Sequence, residues 1–108
     1  MKKFVKVVLG SRGEVDNVEV VESSYRDIEK NVKSIFRELK KEEGREYVEE
    51  FCFLNVNKEK GVVEVVLGED ESEFWIDCEV NENDCNRLIE LFRDNKVEEF
   101  NDLMMKFW

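Results

Sequence analysis

The side chains in this chain that could do chemistry are carboxylates, and they crowd into one stretch. Glu69, Asp70, Glu71 and Glu73 fall within five positions, Asp77 and Glu79 follow at alternate positions, and Glu82 and Asp84 lie just beyond. Paired carboxylates can serve as general acid and base, and about six to eight oxygens can hold calcium or magnesium. The calcium-loop pattern D-x-[DN]-x-[DN]-G is absent, however, and nothing in the spacing fixes a coordination geometry. With 27 acidic residues in 108, some carboxylates meet by number alone. The expected fate of the stretch is a solvated acidic turn, with no catalytic residue, no metal and no cofactor.

Other chemistries are narrowed by what is missing. The chain has no His, Pro, Gln, Ala or Thr. Without His, a Ser–His or Cys–His nucleophile and the usual Cys/His zinc sites cannot be assembled. Cys52, Cys78 and Cys85 form no C-x-x-C pair and read as reduced, buried thiols. A Cys52–Cys78 bridge requires their two strands to pair. Gly10-Ser11-Arg12-Gly13 follows an apolar run, yet its spacing fits neither the P-loop nor the dinucleotide fingerprint, and a hairpin turn is the expectation. The lysines of the first half, such as Lys2, Lys3, Lys6, Lys40 and Lys41, lack the aromatic interleaving of a nucleic-acid surface.

Charge is unevenly divided. Residues 1–45 carry 11 Lys/Arg against 9 Asp/Glu, and residues 46–108 carry 6 against 18, which gives +2 and −12 and sums to the net −10. Such a field repels nucleic acid and anionic membranes and attracts basic surfaces over about a Debye length. No run approaches 18 apolar residues, and Lys6 interrupts the apolar start, so a cytoplasmic location is expected. Abundant Glu and Lys without Gln resembles the bias of hot-living sources, against which stand three Cys, three Met and several Asn.

These side chains must be positioned by elements that the apolar periodicities indicate. Phe4–Leu9 is dense in β-branched residues, and Val18-Glu19-Val20-Val21 resumes the pattern after a Gly-bearing loop, which predicts a hairpin. Ser24-Tyr25-Arg26-Asp27 has capping-box spacing. Ile28, Val32, Ile35, Phe36 and Leu39 then share one helical face, and Gly44 supplies a stop. Strands are expected at Tyr47–Val56, Val62–Leu67 and Glu73–Val80, joined by short polar turns as a meander. In the last, Phe74, Ile76, Cys78 and Val80 face one way, and Glu73, Trp75, Asp77 and Glu79 the other. Beyond Asp84 the period turns helical, with Cys85, Leu88, Ile89 and Phe92, then Val97, Phe100, Leu103, Met104 and Phe107. A fresh cap near Asn95 makes two helices.

The chain therefore reads as one α+β domain over residues 1–108, in the order ββαβββαα. It has a largely antiparallel sheet of four to five strands, one long amphipathic helix and two C-terminal helices. Apolar residues on both strand faces call for cover on both sides, either by helices in three layers or by a second copy as a homodimer. Trp75, flanked by Glu73 and Asp77, is either covered by the C-terminal helices or an aromatic anchor ringed by carboxylates. Trp108 is expected to pin the helix tail.

The functional expectation is a non-enzymatic acidic protein binding a basic protein partner. Its sharpest form is an inhibitor of viral or phage type that imitates nucleic-acid charge in a basic groove. The partner-binding candidates are Glu69, Asp70, Glu71, Glu73, Trp75, Asp77 and Glu79, with Glu98, Glu99 and Asp102 as a second patch. The rivals are a carboxylate-dependent, metal-assisted enzyme and an acidic scaffold that dimerises through its apolar sheet face.

Overall fold

β-branched residues at alternate positions build the centre of the sheet, and the computed structural model, which describes residues 1–108, places every strand in a single antiparallel array. In chain order the elements are β1 (Lys2–Gly10), β2 (Val15–Ser23), α1 (Tyr25–Glu43), α2 (Arg45–Phe51), β3 (Cys52–Asn57), β4 (Val62–Leu67), β5 (Glu71–Asp77), α3 (Glu82–Arg93) and α4 (Val97–Met104), closed by a 3-10 turn at Met105–Phe107. The strand order is β2-β1-β5-β4-β3. The β1–β2 hairpin and the β3–β4–β5 meander are thus sewn together by β1 pairing with β5, Val5 opposite Ile76 and Val7 opposite Phe74.

Placing β2 and β3 at opposite edges requires a long connection. α1, with 19 residues, is about 28 Å long, enough to cross the roughly 19 Å spanned by four inter-strand gaps. Ser24 opens it as foreseen, its hydroxyl accepting from the Asp27 N–H at 3.1 Å. Gly44, at φ +95°, ends it.

Each sheet face has its own core. Val5, Val7, Leu9, Val62, Phe74 and Ile76 pack beneath α3 and α4, against Cys85, Leu88, Leu91, Phe100 and Met104. On the other face Phe4, Val63 and Val65 meet Ile28 and Val32 of α1. This is the three-layer arrangement, completed within one chain. α1 lodges less of itself than its periodicity promises, since Ile35 remains exposed.

Three sequence expectations need correction. The segment from Tyr47 is not strand throughout: residues 45–51 form α2, held by the Arg45–Glu49 pair at 2.8 Å and by the Tyr47 and Phe51 rings at 5.0 Å, both i, i+4 contacts. The last strand stops at Asp77, and Cys78–Asn81 turn into α3, so Cys78, Glu79 and Val80 lie outside the sheet. Cys52 and Cys78 do not bridge: Cys52 opens β3, Cys78 follows the end of β5, β4 lies between those two strands, and all three cysteines are free.

Candidate acidic interaction surface

The acidic residues after position 68 do not gather on one surface. β5 separates them by about 20 Å, with Glu69, Asp70 and Glu71 at its start and Glu79 past its end. Along the strand, Glu73 and Asp77 are 8% and 0% exposed, so two of the expected partner contacts are inside the molecule. The physical reason is the three-layer packing: the face on which they alternate with Trp75 is the face that α1 covers.

Each of these buried acids is paired. The Trp75 indole N–H donates to Glu73 at 3.1 Å, while the Lys6 ammonium stands 3.8 Å from the same carboxylate and 5.0 Å above the indole ring. Trp75 is thereby covered on the α1 side, by Lys6 and the edge of Phe4, and not by the C-terminal helices. Asp77 accepts from the Tyr25 hydroxyl at 2.6 Å and from the Glu79 N–H at 2.9 Å, with Lys2 3.5 Å away. Burial opposes its ionisation, but these donors together outweigh burial and hold the carboxyl below the usual range. Lys2 also pairs with Glu79, which raises the ammonium pKa, the hydrogen bond to Glu79 contributing most.

Glu98, Glu99 and Asp102 lie exposed along α4, the first two in its opening turn, where carboxylates suit the helix dipole. Glu99 is 3.5 Å from Arg87. Glu98 and Asp102 have no cation within 4 Å. Beside the start of this helix a cavity of about 220 Å³ opens between Val15, Phe92, Val97 and Phe100. It is largely apolar.

A different set of carboxylates lies at one end of the sheet. Because Gly10 pairs with Glu71, the β1–β2 loop lies beside the β4–β5 turn. Glu14 and Asp16 crowd Gly10 from the loop side, and Glu64 stands on β4 opposite Phe74. None of Glu14, Asp16, Glu64, Glu69, Asp70 or Glu71 has a cation within 4 Å, unlike Glu73, Asp77 and Glu79. On the α3 side of the sheet this end forms an open groove of about 490 Å³, floored by Val66, Phe74 and Trp108 and rimmed by Glu64, Glu69 and Glu71. Trp108 stacks on Phe74 at 6.2 Å and stays 62% exposed, so the tail residue offers its ring to solvent instead of being sealed in the core. Phe107 does the pinning.

Sequence reading finds Glu69 and Glu71 but misses Glu64 and Trp108 as lining the same groove. What unites them is Phe74, opposite Glu64 across the β4–β5 pair and stacked under the Trp108 ring from more than 30 residues further along the chain.

The turn that carries these acids depends on Gly68. Its φ is +110°, and a Cβ there would lie 2.6 Å from the Tyr47 hydroxyl oxygen. Gly68→Ala is expected to cost about 1–3 kcal/mol in urea denaturation. Gly13→Ala, at φ +77° but with open space around it, should cost less. Equal losses would show that backbone strain, and not the Tyr47 contact, sets the requirement.

Burial pushes the Cys52 and Cys85 thiols up, opposite to the direction a cysteine nucleophile requires. No three carboxylates or thiols converge closely enough to hold a metal ion. No helix is long and apolar enough to cross a membrane. Fold and groove together define a three-layer α+β domain with an acid-rimmed aromatic groove at one end of its sheet. Comparison with protein-family models, with characterised proteins and with solved structures found no match.

Proposed function

We propose that this chain works by binding a basic protein segment in the groove between the β1–β2 loop, the β4–β5 turn and Trp108. The observation that carries the proposal is the combination there of unpaired carboxylates with an exposed aromatic floor. Carboxylates without cationic partners project an unscreened negative field that draws in Lys and Arg. The indole face adds a cation–π contact and apolar area for their methylene stems. The Lys- and Arg-lined groove of a nucleic-acid-binding protein is a surface of this kind, and a charge mimic that occupies it is one form of the proposal. The acids that would serve it, Glu64, Glu69 and Glu71, rim the groove. A long phosphate-like row along β5 would need Glu73 and Asp77, which are buried.

An arginine-rich peptide titrated while Trp108 and Trp75 fluorescence is followed tests the reading. Neutralising Glu64, Glu69 and Glu71 together to Gln should weaken binding roughly tenfold or more, and each alone only a few-fold, because exposed pairs contribute about 0.2–1 kcal/mol each. Binding should also fall steeply with salt. Neutralising Glu98 and Asp102 should matter little. An equal loss from the α4 pair would mean diffuse attraction to a negative protein, and the groove would lose its role. A metal-assisted enzyme, by contrast, would lose function entirely with one or two carboxylates and would require divalent cations.

A further inference from the structure

We infer that the β3 edge of the sheet pairs with the β3 edge of a second copy, joining two five-stranded sheets across a two-fold axis. β3 is hydrogen-bonded to β4 alone, so the N–H and C=O groups on its outer side have no strand partner. Natural edge strands are guarded by charge, proline, bulges or brevity. This one has six residues, Cys-Phe-Leu-Asn-Val-Asn, with no charged side chain, in a chain that is 41% charged and contains no Pro. It belongs to the longest uncharged run in the sequence, Phe51–Asn57.

The opposite edge shows the contrast. β2 carries Asp16, Glu19 and Glu22, and its register slips by one residue where Leu9 meets Val15. Charge and bulge protect that edge. One guarded and one open edge give an assembly that closes at two: an isologous β3–β3 contact uses both open edges and leaves only guarded ones, whereas two open edges would propagate.

The occupant follows from charge. The net −10 of each molecule opposes self-association as a whole, so two copies meet at least electrostatic cost where no like charges are brought into contact, and the uncharged β3 of a second copy brings none to β3. Antiparallel pairing about a two-fold satisfies both sets of edge groups with the same residues. Phe53, 50% exposed, is the apolar side chain that such pairing shelters. A six-residue strand contact is at the small end of protein interfaces, so the dimer forms in a concentration-dependent way.

Light scattering on the intact chain tests this. At high protein concentration the mass should rise from the 12.9 kDa of the monomer towards twice that value. Added salt should strengthen the dimer by screening mutual repulsion, opposite to its effect on basic-peptide binding, so this inference and the groove reading fail separately. Phe53→Lys combined with Asn55→Lys, both at exposed positions, should return the mass to monomer, and Val20→Lys on β2 should not. Hydrogen exchange guards against a folding defect: β3 amides should gain protection with concentration in the parent protein and not in the double variant. A strict monomer at every concentration and salt, or a dimer broken by Val20→Lys and not by the β3 pair, overturns the inference.

Discussion

Asp77→Ala is expected to destabilise the fold by about 3 kcal/mol, the largest effect of any single polar change in the molecule. The residue is wholly buried where β5 leaves the sheet, and its two oxygens tie together three parts of the chain: Tyr25 at the start of α1, the turn into α3 through the Glu79 N–H, and Lys2 at the start of β1. Truncation leaves the part-buried Tyr25 hydroxyl and Glu79 amide without their acceptor. Asp77→Asn keeps an acceptor for Tyr25 but turns an N–H2 towards existing donors or a cation, so a loss of about 1–2 kcal/mol is expected.

The sign of the pH dependence follows from the same contacts. Because the folded carboxyl titrates below its unfolded value of about 3.9, its stabilisation is complete above that pH. It is lost as the pH falls through the folded value. The phenol of Tyr25 is displaced upward, by burial first and then by Asp77, so it remains a donor throughout the neutral range. Urea denaturation from neutral to acid pH should show a steeper decline for the parent protein than for Asp77→Asn. Parallel profiles would mean that Asp77 is not ionised in the folded state.

Much of the scaffold could be read from residues alone, and the reasons for success and failure are physical. Local periodicity is strong where one element buries one face. Ser24 as cap, Ile28 and Val32 as the inward stripe of α1, the β3–β4–β5 meander and the two C-terminal helices all follow from it. α2 escapes because Tyr47, Val48 and Phe51 are β-favouring types beside a real strand, and their helical spacing covers only two turns. The acidic surface escapes for a different reason. Alternation correctly puts Glu73, Trp75 and Asp77 on one face of β5, but both faces of a three-layer sheet are covered, so alternation no longer separates inside from outside. Two expectations from the sequence, carboxylates exposed along β5 and helices on both sides, exclude each other at these positions, and packing decides between them. What joins Glu64 and Glu71 to Trp108 is non-local pairing and packing, which no window along the chain contains.

The electrostatic consequence is a division of labour among the acids. Lys2 and Lys6 come from the cation-rich first half and neutralise Asp77, Glu79 and Glu73. The negative charge along most of β5 is therefore largely balanced locally. It remains unbalanced at the hairpin end, where Glu14 and Asp16 of the first half add to it. Net charge by half describes the composition, but the field at any surface is set by which loops the sheet brings side by side.

Phe4→Ala should lower stability by about 3–5 kcal/mol and should do so unevenly across the molecule. Phe4 is fully buried in the smaller of the two cores, its ring edge-on to Tyr25 at 5.3 Å and to Trp75 at 6.3 Å. That core has five buried residues, against twelve on the α3–α4 side, and of the 19 residues of α1 only Ile28 and Val32 are buried in it, with Tyr25 and Phe36 partly buried against it. A void at Phe4 removes the surface on which the first turns of α1 rest, while leaving Leu88, Phe100 and Met104 in contact with their strands. Hydrogen exchange should accordingly show α1 losing protection well before α3, as expected where few buried apolar contacts hold an element. Phe4→Leu should recover most of the loss, since aliphatic volume fills the same space. The groove lies on the other face of the sheet, so under conditions where Phe4→Ala is folded its affinity for a basic peptide should match that of the parent. A uniform loss of protection across α1 and α3 would instead show the two cores to be one cooperative unit, with the helix layers melting together.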